Sequence, residues 1–218
     1  MPKEPRAVLD AIFAFPPNRE TLGGTAYFIL EKNANFLVDC PPWDDKTQAF
    51  LQKHGGLHSL LITHRGAIGK AKEIQEFTGC KLAIQEQIAY LLPNVPVTAF
   101  GRELEIAPNL SMVWTAGHCP GSACVYYKGN GGVLFTGRHL LPNQQGDPMP
   151  LRMSKTFHWP RQLRSLKMLQ ERFTPDNLTY ICPGANTGFL RGKGAIDRAG
   201  DRLSALDLAV LSEVTPML

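Results

Sequence analysis

The sequence has no uninterrupted apolar stretch of membrane-spanning length, and its first residues, Met1-Pro2-Lys3-Glu4-Pro5-Arg6, lack the apolar core of a secretory signal. The expectation is a cytosolic chain with no membrane partner. Nor is there a run of consecutive Lys or Arg. The net charge of +4 is spread along the chain, so nothing in the sequence points to a nucleic-acid partner. Cysteine is scarce and odd in number: Cys40, Cys80, Cys119, Cys124 and Cys182 have neither zinc-ribbon nor disulfide-scaffold spacing, in keeping with a reducing compartment. No internal repeat or low-complexity segment stands out beyond a loose likeness between the two halves. What is present, 44% hydrophobic and 19% charged residues over 218 positions, suits one globular domain, 1–218, with a substantial core.

Strand-like runs dominate the first half: Ala11 to Phe15, Ala26 to Leu30, and Asn35 to Asp39, the last two joined by the polar turn Glu31-Lys32-Asn33-Ala34. Asp44 or Asp45 can cap a helix that stops at Gly55-Gly56, and a helix from Ala71 through Ile74 and Phe77 ends at Gly79. Cys80 to Ile84 reads as a strand and Glu86 to Leu92 as a short helix closed by Pro93. The second half has strands near Val97–Phe100, Glu103–Ile106, Ser111–Thr115, Ala123–Tyr127 and Val133–Thr136. A proline-bearing stretch from Leu140 to Trp159 reads as a long surface loop. Pro160 opens a helix with Leu163, Leu166, Leu169 and Phe173 on one face, Tyr180 to Cys182 is a last strand, and a final helix carries Leu203, Leu206 and Val210. The sum predicts an α/β (α+β) fold in which two mixed sheets pack face to face with helices outside.

The chain is organised around Leu60 to Lys70, where an apolar strand ends in Thr63-His64 and a glycine-broken turn leads into a helix. Four further landmarks follow the same logic of strand end and turn: Phe36 to Asp39, Thr115 to Ser122 around His118, Leu134 to Arg138, and Cys182-Pro183-Gly184-Ala185. In this order they resemble the metallo-β-lactamase superfamily, most of all its glyoxalase II-like hydrolases. That resemblance implies a four-layer αββα sandwich. It also implies seven metal ligands, of which His64 and His118 remain. Gly66, Ile68, Gly69, Arg138 and Ala185 stand where the others belong. Catalytic zinc takes three protein ligands and an open position, and a guanidinium in place of the bridging carboxylate repels a dication.

No cofactor is therefore expected, and the leading expectation is a degenerate, metal-free pseudoenzyme. On the simplest reading Arg138 fills the metal position and pairs with Asp39, leaving His64 and His118 as a polar remnant. On the functional reading Arg138, His64 and His118, joined by Lys70 and by the basic loop with Arg191 and Lys193, bind a small anionic molecule or a protein partner. The competing expectation is ester or thioester hydrolysis, by a mononuclear zinc on His64 and His118 with Asp39 or a cysteine (Cys40, Cys119 or Cys182), or by a metal-free histidine base, with His64, His118 and Asp39 as the catalytic candidates. RNA cleavage by relatives of this fold needs both metals and an inserted clamp domain, and neither is visible. His139 and His158 are expected on the surface or in loops, and Trp159 in packing under the loop. Oligomeric state has no signal in the sequence.

Overall fold

The computed structural model describes residues 4–216. Its first sheet takes strands in chain order: β1 (Arg6–Leu9), β2 (Ile12–Ala14), β3 (Tyr27–Ile29), β4 (Phe36–Val38), β5 (Ser59–Ile62), β6 (Lys81–Gln85) and β7 (Thr98–Phe100). The pairs from β1 to β4 are antiparallel and those from β4 to β7 parallel, so this sheet is mixed. Helices α1 (Asp45–Lys53), α2 (Ala71–Thr78) and α3 (Glu86–Ala89) carry the parallel crossovers. The second sheet contains β8 (Glu103–Ala107), β9 (Leu110–Trp114), β10 (Ala123–Tyr127) and β11 (Val133–Gly137). A small ribbon of β12 (Leu141–Pro142) and β13 (Pro148–Met149) precedes α4 (Trp159–Arg172), after which β14 (Tyr180–Pro183) joins β11 in parallel at the far edge. Two short helices close the described chain, α5 (Ala199–Ser204) and α6 (Leu208–Ser212).

Strand pleating explains the layers. Successive side chains point to opposite faces, and a strand covered on both faces reads as a continuous apolar run. Tyr27, Ile29, Phe36, Val38 and Leu61 meet Met112, Val125, Val133 and Phe135 between the sheets. Their neighbours Phe28, Leu37, Leu60 and Ile62 pack outward against Leu51, Ile74 and Ile88 of α1 to α3. On the other side Leu134, Cys124 and Ile181 meet Leu166, Leu169 and Leu203. The result is helix, sheet, sheet, helix, as the strand pattern predicts. Asp44 caps α1 by accepting from Thr47 N at 2.9 Å, and Gly79 ends α2 in the left-handed region. Among the described residues no helix is long and apolar enough to cross a membrane.

Four expectations change. The first strand is shorter than Ala11 to Phe15, because Ala11 has φ +59 and turns the chain back onto the unforeseen β1. The stretch from Leu140 to Trp159 is not all surface loop: Leu140 and Leu141 are buried and part of it pairs as the β12–β13 ribbon. Trp159 packs in the outer core as expected, and α4 starts at it, one residue before Pro160, with His158 as its cap. The last helix is two, broken at Ala205–Asp207 where Asp207 caps α6, and Val210 faces solvent.

Candidate functional site

The site lies where β4, β5, β9 and β11 end. Asp39 follows β4 with φ +64, a backbone turn that aims its carboxylate across to β5. There it accepts from Thr63 N at 2.8 Å and from Thr63 Oγ1 at 2.9 and 2.7 Å. Thr63 Oγ1 also lies 3.0 Å from His64 Nδ1. A hydroxyl has one proton, so this chain has a direction. With Asp39 ionised, Thr63 donates to the carboxylate and must accept from His64 Nδ1–H, which leaves Nε2 as a lone pair. With Asp39 protonated, the carboxyl donates to Thr63, Thr63 donates to Nδ1, and Nε2 carries the proton. The second imidazole, His118, comes from the loop after β9, with its ring 5.6 Å from that of His64, nearly edge to face.

Glycines make this close packing possible at two points. Gly137 has φ +51, and a Cβ there would lie 2.3 Å from Thr63 Oγ1. A Cβ on Gly66 would lie 3.3 Å from His64 Nε2, so the missing side chain leaves space beside that nitrogen.

Arg138 does not pair with Asp39. Its Nη2 donates to the carbonyls of Thr21 at 3.3 Å and Leu22 at 2.6 Å, which the tight turn after Arg19–Thr21 presents to it. Its Nε is buried without a partner, as is His64 Nε2. Lys70 is engaged elsewhere: it is half-exposed and pairs with Glu73 at 3.2 Å. Lys193 likewise pairs with Asp197 at 3.4 Å. His158 is at the surface, as expected, but His139 is not. It is 1% exposed with both ring nitrogens unpartnered, and Gln162 Nε2 donates to its carbonyl at 3.0 Å. Thr63 and His139 carry no site role in the sequence reading, which passes over Arg65 and Gln162 altogether. One signal was there: Gln162 continues the stripe of Leu166, Leu169 and Phe173 on α4, and a polar residue on a buried stripe needs a partner.

Burial sets the electrostatics. It raises Asp39 to about 7, against the opposing pull of its Thr63 hydrogen bonds and the Arg138 charge. It lowers His64 well below the ordinary range, helped by His118, Arg138 and Arg65. It also lowers His118 to about 4, reinforced by Arg138 and Arg65, and His139 to about 3, reinforced by His118. At neutral pH the imidazoles are uncharged and the guanidiniums carry the positive charge.

This fixes the sign of the pH dependence of stability. The histidines bind more protons unfolded than folded, so their contribution is complete above pH 6.5 and is lost as the pH falls toward 4. Asp39 works the other way, its contribution being lost as the pH rises from 3.8 through about 7. Three groups outweigh one. Urea unfolding is expected to show stability rising between pH 4.5 and 6.5, with a shallower rise in His139→Met. A flat or falling profile in the wild type would contradict these ionisation states.

No family model and no curated protein sequence matches the chain. Solved structures do. A metallo-β-lactamase from Pontibacter korlensis superposes with TM-score 0.70 at 16% identity, over 97% of this chain and 99% of that one. A metallo-β-lactamase family protein from Thermus thermophilus gives 0.64 at 18% identity, over 94% and 81%. An archaeal superfamily protein from Sulfolobus tokodaii gives 0.62 at 13% identity, over 95% and 89%. This chain has the metallo-β-lactamase fold.

At such identities the likeness carries the fold and says nothing of activity. The metal that this fold family implies is tested by the donors themselves. Among the described residues no three His, Cys, Asp or Glu side chains are grouped to hold an ion. Asp39 is taken up by Thr63, Cys119 Sγ accepts from Ser122 Oγ at 3.2 Å, and Cys182 lies in the core between the sheets. Two imidazoles beside an arginine do not fit a catalytic zinc.

Proposed function

We propose that this metallo-β-lactamase fold has a degenerate site that binds a small anionic ligand, a carboxylate or phosphate, either free or presented by a protein partner. The observation that carries the reading is the pair of buried, unpartnered nitrogens, Arg138 Nε and His64 Nε2. A buried donor left unsatisfied costs about 1–3 kcal/mol, more when charged, and an anionic oxygen relieves that cost. Arg138 is anchored through Nη2 and keeps Nε–H free, and Arg65 adds a second positive charge felt by both histidines. Charge-assisted bonds of this type are strong and favour carboxylate or phosphate oxygens.

Calorimetric titration with sulfate and acetate tests this directly. Binding is expected in the wild type and about ten- to a hundredfold weaker in Arg138→Gln, the equivalent of about 1.5–3 kcal/mol. Elemental analysis of protein purified without chelator is the companion measurement. Stoichiometric zinc, iron or manganese that is lost in His64→Ala would overturn the reading, as would anion affinity that Arg138→Gln leaves unchanged.

A second reading rests on the Asp39–Thr63–His64 chain. With Asp39 ionised, His64 Nε2 is a lone pair, the arrangement of a general base for ester or thioester hydrolysis without metal. Turnover of a generic ester panel that disappears in His64→Gln and Asp39→Ala would favour it, and a silent panel would remove it.

A further inference from the structure

Outside that crevice, a groove of about 520 Å³ runs between the edge of the second sheet and α4. Arg161, Arg164 and Arg172 are spaced three and eight residues apart, so they fall along one flank of α4, and Arg102 faces them from the turn between β7 and β8. The groove holds four arginines against one carboxylate, Glu103, a net +3 in a chain whose total is +4. These charges are not balanced internally. Arg172 pairs with Glu103, Arg161 lies over the Trp114 ring at 5.7 Å, and Arg102 and Arg164 have no ion pair or side-chain hydrogen bond among the described residues. Arg161 and Arg164 stand three residues apart on α4, a spacing at which like charges disfavour the helix, and an anion between them offsets that repulsion.

The groove is also apolar. Trp114, Val113 and Met168 line it, and the Trp114 ring is pinned through Nε1, which donates to the Pro120 carbonyl at 2.8 Å. A flat body stacked against the Arg161 guanidinium and the fixed indole beneath it, with anionic oxygens reaching Arg102 and Arg164, matches both features. The volume lies in the range of small-molecule sites. We propose that this groove is a second binding site, for an organic phosphate with a flat apolar body, the chemistry of a nucleotide.

The test uses the full chain in low salt, titrated with ADP, adenosine and inorganic phosphate and read by calorimetry and by tryptophan fluorescence. ADP is expected to bind at least about tenfold more tightly than adenosine or phosphate and to quench fluorescence. Arg102→Gln and Arg164→Gln each weaken ADP by about tenfold, while their melting temperatures without ligand stay equal to or above that of the wild type. Lys72→Gln, the same charge change at an exposed residue of α2, leaves ADP affinity unaltered. Phosphate binding as tightly as ADP would overturn the flat-body half of the proposal. ADP affinity unmoved by both groove variants would overturn the site. Loss of ADP binding in Arg138→Gln alone would do the same and place the nucleotide in the crevice.

Discussion

Gly137→Ala is expected to cost about 4 kcal/mol of stability and to lower the melting temperature by roughly 10 °C. Two terms add. The residue sits at φ +51, where a side chain brings about 1–2 kcal/mol of strain. Its Cβ would also meet Thr63 Oγ1 at 2.3 Å and Thr63 Cβ at 2.8 Å. Thr63 has little room to yield, because its hydroxyl bridges Asp39 and His64 and its backbone N–H is held by the same carboxylate. Displacing it leaves a buried carboxylate short of donors, at about 1.5–3 kcal/mol. Gly188→Ala is the control, since a Cβ there meets nothing within 4 Å, and it should stay within about 0.5 kcal/mol. Thr63→Ala removes the atoms in collision, so the double variant should lose less than the sum of the single losses. A melting temperature for Gly137→Ala within about 2 °C of wild type would show that the strand ends are looser than described.

Asp39→Asn is expected to abolish the pH dependence of anion binding. Asp39 is raised to about 7, and its neutral form turns Thr63 and His64 so that Nε2 carries a proton toward the crevice. Protonation also removes a buried negative charge. Both effects favour an anion, so wild-type affinity for sulfate should rise about tenfold as the pH falls from 8 to 6, at most tenfold per unit for one coupled proton. His118 and His139, lowered to about 4 and about 3, stay neutral across this window, and Arg138 stays charged. Asparagine tolerates the left-handed backbone that Asp39 adopts at φ +64. Its Oδ1 still accepts from Thr63 N, and its Nδ2 donates to Thr63 Oγ1, which forces that hydroxyl to donate to His64 Nδ1. The variant is thus fixed in the acidic form. Its affinity should be flat from pH 8 to 6, at the level the wild type reaches at the lower end, and nitrogen NMR shifts should report the Nε2–H tautomer of His64. The same slope in both proteins would remove Asp39 from the coupling.

The two proposed sites were unequally visible in the sequence. His64 and His118 stand at strand ends within recognisable stretches, and the losses at Gly66, Ile68, Gly69, Arg138 and Ala185 fall at landmarks in the right order. A pleated strand buried on both faces imposes its pattern locally, so the apolar runs of β3, β4, β5 and β11 announced the layers, and the polar and glycine letters at their ends marked the crevice.

Partners were another matter. Proximity in the fold predicts Asp39 as the partner of Arg138, yet Arg138 bonds the carbonyls of Thr21 and Leu22. Backbone acceptors exposed by a distant turn leave no mark in the side-chain alphabet. His139, expected on the surface or in a loop, lies in a loop that is buried, where Gln162 of α4 donates to its carbonyl. The arginines of the groove are separated by as many as seventy positions, from Arg102 to Arg172, and read singly as a dispersed surplus. The sequence by itself determined the strands that are covered on both faces, because those follow from local periodicity. Only the tertiary structure decided which charges face one another, because electrostatic partnership depends on distance through space.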